Sequence, residues 1–408
     1  MSFYSFVSTN QNNLIALAII LLILFFVLKN RRKFAFEQAS FIYRTKLGLK
    51  LMGRMAKRKL LVSIYSTLGV IVAVLTVPFF LYLIAGYFQL AITSPKSAPA
   101  AAGLVLPFTG VPYVIGVPVF YWLIALVFVV VVHEMSHGVV ALAKRIKLKS
   151  SGFGFFLGFL PLAFVEPDEG YFEKARSIDK LRVLSVGSFT NIVFAVIFFL
   201  LYIYLSHYAV ASGLVSFAPL LLHIVSVVPG SPAALAGMPA GTNISTINGA
   251  TFTSEPTILS YIENLSPNVP LNFTSTSGAV YTITPAYNAS RNTTTHSYLG
   301  IEASLIAPNE QKTLIPIISS TALPAGNLPA QSVFWVDGLL LWLFIISSGL
   351  GIVNLLPVFY ITDGCKIFYE LVGLGFKNKA LRLKITNAII IAFSILFVLL
   401  IIPPSLWL

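Results

Sequence analysis

The sequence has 408 residues, of which 57% are hydrophobic and only 10% are charged. Soluble domains typically carry about 25% charged residues, so the composition excludes an ordinary soluble enzyme, a coiled coil and a disordered polymer. The mean hydropathy of +0.87 instead predicts an α-helical polytopic membrane protein. The single cysteine, Cys365, excludes an intramolecular disulfide framework and any metal site built from several cysteines.

Six apolar stretches are each long enough to cross the roughly 30 Å hydrocarbon core of a bilayer as a helix. They lie near residues 13–30, 61–90, 116–143, 183–206, 335–357 and 385–403. The first stretch has neither a basic region before it nor a small-residue cleavage site, so we expect an anchor helix rather than a signal peptide. The sequence therefore predicts a multi-pass integral membrane protein.

The 27 Lys and Arg residues are divided unevenly between the two sides of the predicted membrane domain. If the six spans alternate in direction, 24 of the 27 lie on one side, mostly within 31–59, 144–182 and 366–384. Because positively charged loops face the cytosol, we expect these basic loops inside and both termini outside. The net charge of +13 thus encodes orientation in the lipid bilayer, and no nucleic-acid partner is predicted.

The basic segment 31–59 mixes its charges with Phe, Ile, Leu and Met. This pattern is typical of an amphipathic helix that lies on an anionic inner leaflet. It is equally compatible with a plain cytosolic linker whose charges set orientation.

A polar segment separates the fourth and fifth spans. From about residue 220 to 305 it is rich in Ser, Thr and Asn and contains alternating runs typical of strands. Its Asn-x-Ser/Thr sequons begin at Asn243, Asn264, Asn272, Asn288 and Asn292. Either an Asn/Thr-rich surface produces such triplets by chance, or they are glycan acceptors on an extracytoplasmic domain. The charge distribution independently places this segment outside.

The third span contains the run His133-Glu134-Met135-Ser136-His137. Residues four apart share a helix face, so the two imidazoles can hold one metal ion. Glu134 lies beside the first imidazole, where it can act as general base toward a metal-bound water. Two histidines and a glutamate are costly to place in an apolar span without a use. The alternative is a structural role in which these groups only form hydrogen bonds between helices.

A tetrahedral zinc site with an open position needs a third protein ligand beyond the two histidines. Asp363 follows the fifth span, after Pro357, which is expected to break the helix. Since the fifth span runs inward, Asp363 should lie near the same depth as His137. The alternative role for Asp363 is that of a polar residue in a helix-end turn.

These residues resemble the site-2 protease family of intramembrane zinc metalloproteases. The resemblance rests on His133 to His137, on Asn354-x-x-Pro followed by Asp363-Gly, and on Gly187-x-x-x-Asn191 between them. It implies one Zn²⁺ per chain, with His133, His137 and Asp363 as ligands and Glu134 as the catalytic acid and base. It also implies that Asn191 and Asn354 are polar catalytic-site residues. The interval from Pro357 to Asp363 is one residue longer than the family's usual spacing.

The same resemblance implies a reaction and a class of partners. The expected activity is hydrolysis of peptide bonds within transmembrane segments of membrane-protein substrates, as in regulated intramembrane proteolysis. The segment 152–164 is too short to span and corresponds to the family's membrane-associated β-hairpin or re-entrant loop, which presents a strand edge to substrate. A plain interfacial loop is the alternative for this segment.

Residues 228–249 resemble the PDZ domains that are attached to several members of that family. In those domains a small helix precedes a Pro-x-Gly turn, here Pro239-Ala240-Gly241, which is followed by a strand and a tight Asn-Gly turn, here Asn248-Gly249. A PDZ-like groove binds peptides by strand addition, so this domain is expected to dock peptides or the ectodomains of substrates. The alternative is a spacer without peptide affinity.

Together these features predict four regions. They are an anchor helix and basic cytosolic segment (1–60), a membrane core with the histidine motif and re-entrant segment (61–206), an extracytoplasmic PDZ-like domain and linker (207–334), and C-terminal membrane helices (335–408). The competing functions are an intramembrane metal transporter and a catalytically silent PDZ scaffold. A transporter would more typically distribute polar residues along several spans.

Overall fold

The structure is a computed structural model that describes residues 10–37, 39–93, 100–108, 114–217, 220–252, 255–287, 297–306, 322–324 and 328–406. The chain divides into two compact units. The membrane unit comprises Met1–Leu201 and Leu339–Leu408, and the inserted unit comprises Tyr202–Gly338. Each unit is described by itself below.

In the part of the chain that the structure describes, six helices are long and apolar enough to cross a membrane. They are α1 (Gln11–Lys29), α3 (Lys59–Thr93), α4 (Val119–Ala143), α6 (Ser177–Ala211), α9 (Leu328–Leu355) and α11 (Lys379–Ile401). Shorter helices are α2 (Leu49–Ala56), α5 (Glu169–Glu173), α7 (Pro232–Leu235), α8 (Glu255–Glu263) and α10 (Asp363–Gly375). Each predicted span coincides with one of the six long helices, which confirms the helical polytopic fold.

A four-stranded antiparallel sheet accompanies the helices of the membrane unit. Its strands, in spatial order, are β1 (Ala35–Glu37), β2 (Ser40–Thr45), β5 (Leu148–Phe156) and β6 (Leu160–Pro167). Strands β5 and β6 form the hairpin expected at 152–164, and their turn uses positive φ angles at Leu157 and Gly158. Because β6 is the last strand in this order, one of its edges has no strand partner among the residues that the structure describes.

The pairing of β2 with β5 differs from both expectations for the basic segment. Within the described residues of this segment, Arg31–Lys33 form a 3₁₀ turn and Leu49–Ala56 form α2, whereas Ala35–Glu37 and Ser40–Thr45 are strands. The pairing joins Tyr43 to Phe153 across the sheet, with ring centroids 5.3 Å apart. Gly154 permits this close approach, because a Cβ there would lie 2.2 Å from the Phe41 carbonyl oxygen.

Ion pairs around two buried carboxylates connect four helices of the membrane unit. The pairs are Arg176–Asp179 at 2.8 Å, Arg182–Asp179 at 3.0 Å, Arg382–Glu370 at 3.1 Å, and Lys144–Asp179 and Lys180–Glu370 at 3.7 Å. Asp179 and Glu370 are both buried, so removing their cations would leave uncompensated charges. These ion pairs therefore hold the residue following α4, the start of α6, and helices α10 and α11 in one arrangement.

The inserted unit is built around a five-stranded antiparallel sheet. The strands are, in spatial order, β11 (Val280–Ile283), β10 (Leu271–Ser275), β9 (Asn243–Ile247), β8 (Leu221–Val227) and β14 (Ile301–Ile306). Its core contains Ile224, Phe273 and Ile283, whose side chains are fully buried. Further short strands are β3 (Leu104–Leu106), β4 (Val114–Gly116), β7 (Val215–Phe217), β12 (Ala286–Tyr287), β13 (Ser297–Tyr298) and β15 (Ala322–Pro324).

The local elements expected of a PDZ-like domain are present in this unit. The Ser231 hydroxyl caps α7 by accepting a hydrogen bond from the backbone N–H of Ala234. Strand β9 follows, and Asn248 and Gly249 both take positive φ angles in the tight turn after it. Assignment to the PDZ fold itself stays a prediction. The sequons at Asn288 and Asn292 lie outside the described residues.

Candidate metal centre

Helix α4 places His133 and His137 one turn apart on the same face. Both imidazoles are buried, and their Nε2 atoms are 3.0 Å apart. Neutral imidazole nitrogens gain little from facing each other at this distance unless a proton or a cation lies between them. The pair thus points to a shared cation.

Asp363, the first residue of α10, completes the group. Its Oδ2 atom lies 3.1 Å from Nε2 of His133 and 3.2 Å from Nε2 of His137. A tetrahedral zinc with bonds of 2.0–2.1 Å has ligand atoms about 3.3 Å apart, so small adjustments would let this triangle hold the ion. These are also the ligand types that zinc prefers, and three ligands leave a fourth position open. The donor set therefore fits a zinc ion.

The segment between α9 and α10 brings Asp363 to the histidines. The Thr362 hydroxyl donates a hydrogen bond to the Leu356 carbonyl at 2.6 Å and accepts one from the Val358 N–H at 3.3 Å. Phe359 and Tyr360 both adopt positive φ angles. This compact loop accommodates the interval that is one residue longer than in the resembling family, and Asp363 still reaches both imidazoles.

Helix α6 supports the two imidazoles from behind through three positions spaced four residues apart. The Val183 carbonyl accepts a hydrogen bond from Nδ1 of His137, and the Asn191 amide lies 3.2 Å from Nδ1 of His133. Between them, a Cβ on Gly187 would lie 2.4 Å from Nε2 of His137. Only glycine lets α6 approach this closely, so the Gly-x-x-x-Asn pattern has a direct geometric meaning.

The orientation of the Asn191 amide bears on the state of His133. Its Oδ1 atom is buried without a hydrogen-bond partner, while its Nδ2 faces Nδ1 of His133. Amide oxygen and nitrogen positions are interchangeable assignments. With Oδ1 facing the ring, Asn191 accepts a hydrogen bond from Nδ1–H, which satisfies the orphaned oxygen. That arrangement leaves Nε2 of His133 free to bind a metal.

Glu134 lies beside the first imidazole but outside the group of potential ligands. Its Oε2 atom accepts a hydrogen bond from the backbone N–H of Val165 at 3.0 Å. Val165 belongs to β6, so the unpaired strand edge of the sheet directly orients this carboxylate. The carboxylate is therefore fixed next to the candidate metal site and in contact with the hairpin.

The match of a family model covers residues 121–401, which is well over half of the chain. That model describes Peptidase family M50, the site-2 protease family. The chain belongs to Peptidase family M50. The matched region includes the histidine motif, Asn191, Asn354 and Asp363.

One curated relative is itself uncharacterized, so it adds no function to the family assignment. An uncharacterized protein of Methanocaldococcus jannaschii is 33% identical over 159 residues, which is 37% of this chain and 40% of that protein. The chain thus spans well under two thirds of that relative's length. As an M50 member, the protein is an integral membrane protein of a family of intramembrane metalloproteases.

The structure brings five of the six predicted M50 site residues together. His133, His137 and Asp363 converge, and Glu134 and Asn191 lie next to them, as described above. Asn354 is half-buried near the end of α9, and its side chain forms no hydrogen bond within the described residues. Gly351, one turn earlier, packs against the Ser188 carbonyl of α6. This places Asn354 on the stretch of α9 that meets α6.

Two contacts at this M50 site could not be found from the sequence. The Val165 N–H that holds Glu134 and the Val183 carbonyl that holds His137 are backbone atoms, and residue type does not reveal them. Thr362 could not be recognised from the sequence either, because its hydroxyl forms these hydrogen bonds only in the folded loop. The Cys365 thiol contacts that hydroxyl at 3.3 Å and lies outside the ligand group.

Proposed function

We propose that this M50 protein is a zinc-dependent endopeptidase that hydrolyses peptide bonds within transmembrane segments of membrane-protein substrates, in regulated intramembrane proteolysis. The observation that supports it most is the convergence of His133, His137 and Asp363, with Glu134 held beside them. A metal transporter needs the ligands but has no use for an adjacent base outside the ligand group.

The proposed roles follow from what each side chain contacts. Zinc, when bound by the three ligands, would supply Lewis acidity toward the attacking water and the scissile carbonyl. Glu134 accepts the proton of the attacking water and later delivers it to the amine nitrogen of the leaving peptide. The Val165 N–H keeps the Glu134 carboxylate oriented for both transfers. Asn191 holds the His133 ring.

Asn354 is proposed to contact the substrate. Its amide is half-buried and without a hydrogen bond within the described residues, so it retains donors and an acceptor for a peptide backbone. In this position the half-buried amide would satisfy polar groups that the substrate exposes when its helix is locally unwound.

The unpaired edge of β6 is the proposed docking line for the substrate. A transmembrane helix encloses its peptide bonds, so cleavage needs locally extended chain. In an antiparallel strand, alternate residues turn their N–H and C=O toward the same side. Since the Val165 N–H points to Glu134, away from β5, the Ala163 N–H and C=O share this free edge. An extended substrate segment can pair there by strand addition.

The orientation in the membrane is also proposed. The basic loops are placed in the cytosol and the inserted unit outside. With about 1.5 Å per helical residue, His137 lies roughly 10 Å from the basic end of α4 at Lys144. The metal site would then be within the bilayer, nearer its cytosolic face.

The inserted unit offers a groove of about 570 Å³ between β14 and α8. Ile258 and Ile262 of α8 line one side, and Ile301 and Leu305 of β14 line the other. In the sheet order, β14 is an outer strand, so its free edge is available to a further strand. We propose that this groove docks extended peptides or substrate ectodomains.

The decisive experiment compares two variants in a cleavage assay on detergent-solubilised protein with single-span substrates. Glu134→Gln should retain about one zinc per chain, because Glu134 is not a ligand. Its cleavage should fall by about 10²–10⁴-fold, the usual value of acid–base assistance. His133→Ala combined with His137→Ala should lose both zinc and cleavage. Near wild-type cleavage by Glu134→Gln would refute the proposal, and loss of its zinc would favour a metal-transport site.

A further inference from the structure

A long groove of about 890 Å³ lies between α3, α4 and α6 of the membrane unit. Apolar side chains such as Leu61, Leu68, Val139 and Phe194 line most of it. Its charged lining residues are Arg54 of α2 and Arg58, which directly precedes α3. We propose that this groove binds one phospholipid with an anionic headgroup, with the phosphate at the two arginines and an acyl chain along the groove.

The two arginines are free to take an anion. Within the described residues, neither Arg54 nor Arg58 forms an ion pair or a side-chain hydrogen bond, and both are exposed. By contrast, Arg44, Arg176, Arg182 and Arg382 are all paired with carboxylates. Guanidinium groups bind phosphate oxygens in a bidentate manner, so both side chains can bind a phosphate headgroup at the end of the groove.

The length of the groove matches one leaflet. From Arg58 to Leu68, helix α3 rises about 15 Å, which is half of the roughly 30 Å hydrocarbon core. At the arginine end, Val62 packs near Val140 and Val186. Just beyond Leu68, Gly69 lies against α6, because a Cβ there would be 3.2 Å from Cβ of Phe189. The groove thus runs from cations to the closed helix contact over the depth of one acyl chain.

The groove also borders the catalytic turn of α4. Met135 and Ser136, which lie between Glu134 and His137, are among its lining residues, whereas the three candidate metal ligands are not. An occupying acyl chain would therefore pack against this turn without reaching the ligand atoms. It would also keep a substrate helix from entering between α3 and α4.

The test is native mass spectrometry of the full-length protein with equal amounts of phosphatidylglycerol and phosphatidylcholine that carry identical acyl chains. One basic residue near a surface strengthens anionic-lipid binding roughly fivefold, so the wild type should prefer phosphatidylglycerol by about 25-fold. Arg54→Gln combined with Arg58→Gln should abolish this preference. Lys57→Gln combined with Lys59→Gln removes the same charge from residues that do not line the groove. This control variant should retain most of the preference for phosphatidylglycerol.

Two further measurements separate recognition from folding and from other occupants. Arg54→Lys combined with Arg58→Lys keeps the charge and should restore part of the preference. A phosphatidylglycerol with a photoreactive acyl chain should crosslink to α3, α4 or α6 at the groove. Equal binding of both lipids by the wild type would overturn the proposal, as would an equal loss in the lysine control. Crosslinks elsewhere, or occupation of the groove by a substrate peptide instead of lipid, would also overturn it.

Discussion

Gly187 is the residue at which the site tolerates least change. A Cβ there would lie 2.4 Å from Nε2 of His137 and 2.8 Å from Nε2 of His133. Both distances are shorter than the contacts that real Cβ atoms make, so a methyl group must displace either α6 or the imidazoles. The glycine is therefore required by the close approach of α6 to the two imidazoles rather than by helix flexibility.

We expect Gly187→Ala to weaken zinc binding. Overpacking of a tight site costs about 1–3 kcal/mol, which corresponds to roughly a 5- to 150-fold weaker affinity. Competition with a chromogenic chelator would measure it. Gly349→Ala is the matched control, because a Cβ on Gly349 of α9 meets nothing within 4 Å. Unchanged zinc affinity in Gly187→Ala would show that the two helices do not meet as described.

At the scale of elements, the loop between α9 and α10 determines where the third ligand lies. Its two consecutive residues with positive φ lie between the Thr362 hydroxyl and the backbone groups of Leu356 and Val358 to which that hydroxyl is hydrogen-bonded. A Cβ on Gly364 would lie 2.3 Å from the Leu356 carbonyl oxygen, so the loop packs directly on the start of α10. The position of Asp363 thus depends on this loop.

Thr362→Val should destabilise the protein and loosen zinc together. The change removes the short hydrogen bond that the Thr362 hydroxyl donates to the Leu356 carbonyl, whereas the Val358 N–H keeps its 3.0 Å bond to that carbonyl, so the expected loss is about 0.5–1.5 kcal/mol. Thr362→Ser keeps the hydroxyl and should behave almost like the wild type. Unfolding in mixed detergent micelles and zinc content would report the two effects. If the valine variant had wild-type stability and wild-type zinc content, the Thr362 hydroxyl would not be needed to position Asp363.

The free edge of β6 leads to a prediction about substrate. Ala163→Pro removes one outward N–H, and a strand edge tolerates proline there, as Pro161 two residues earlier already demonstrates. Zinc content and stability should hold while kcat/KM falls by up to about tenfold, the value of one hydrogen bond. Ala163→Val retains the N–H and serves as the control. Equal activity of the two variants would argue against strand pairing at this edge.

The sequence predicted the elements whose signal is local. The six spans are continuous apolar runs, and the histidine motif marks itself by its spacing within one of them. The contribution of β2 was missed, because its partner strand begins over 100 residues later and the charges of the segment hide any alternation. The supports of the ligands were missed for a different reason, since Val165 and Val183 act through backbone atoms.

At the scale of the whole molecule, the basic residues have two uses. Most are exposed and encode the proposed orientation, whereas Lys144, Lys180, Arg182 and Arg382 are paired with Asp179 or Glu370. These ion pairs fix the end of the ligand-bearing α4 relative to α10. The basic residues thus contribute to the proposed orientation in the membrane. They also contribute to the relative positions of the helices that carry the candidate metal ligands.

Cysteine labelling in intact cells would test the orientation. Cys365 is free and buried, so a Cys365→Ser background allows single reporters to be introduced. Thr276→Cys, exposed in the inserted unit, should react with a membrane-impermeant maleimide from outside. Lys174→Cys, also exposed, should react only after the cells are permeabilised. The reverse pattern would invert the proposed sidedness.

The wide separation of the ligands has a consequence for biosynthesis. His133 and Asp363 are 230 positions apart, and ribosomes add about 5–20 residues per second. A nascent chain would therefore contain its histidines for about 10–50 s before the aspartate is synthesised. During that interval it cannot complete a three-ligand site. Under the proposed function, other membrane segments that are inserted at the same time would not be cleaved by this chain until α9 and the following segment with Asp363 have been synthesised.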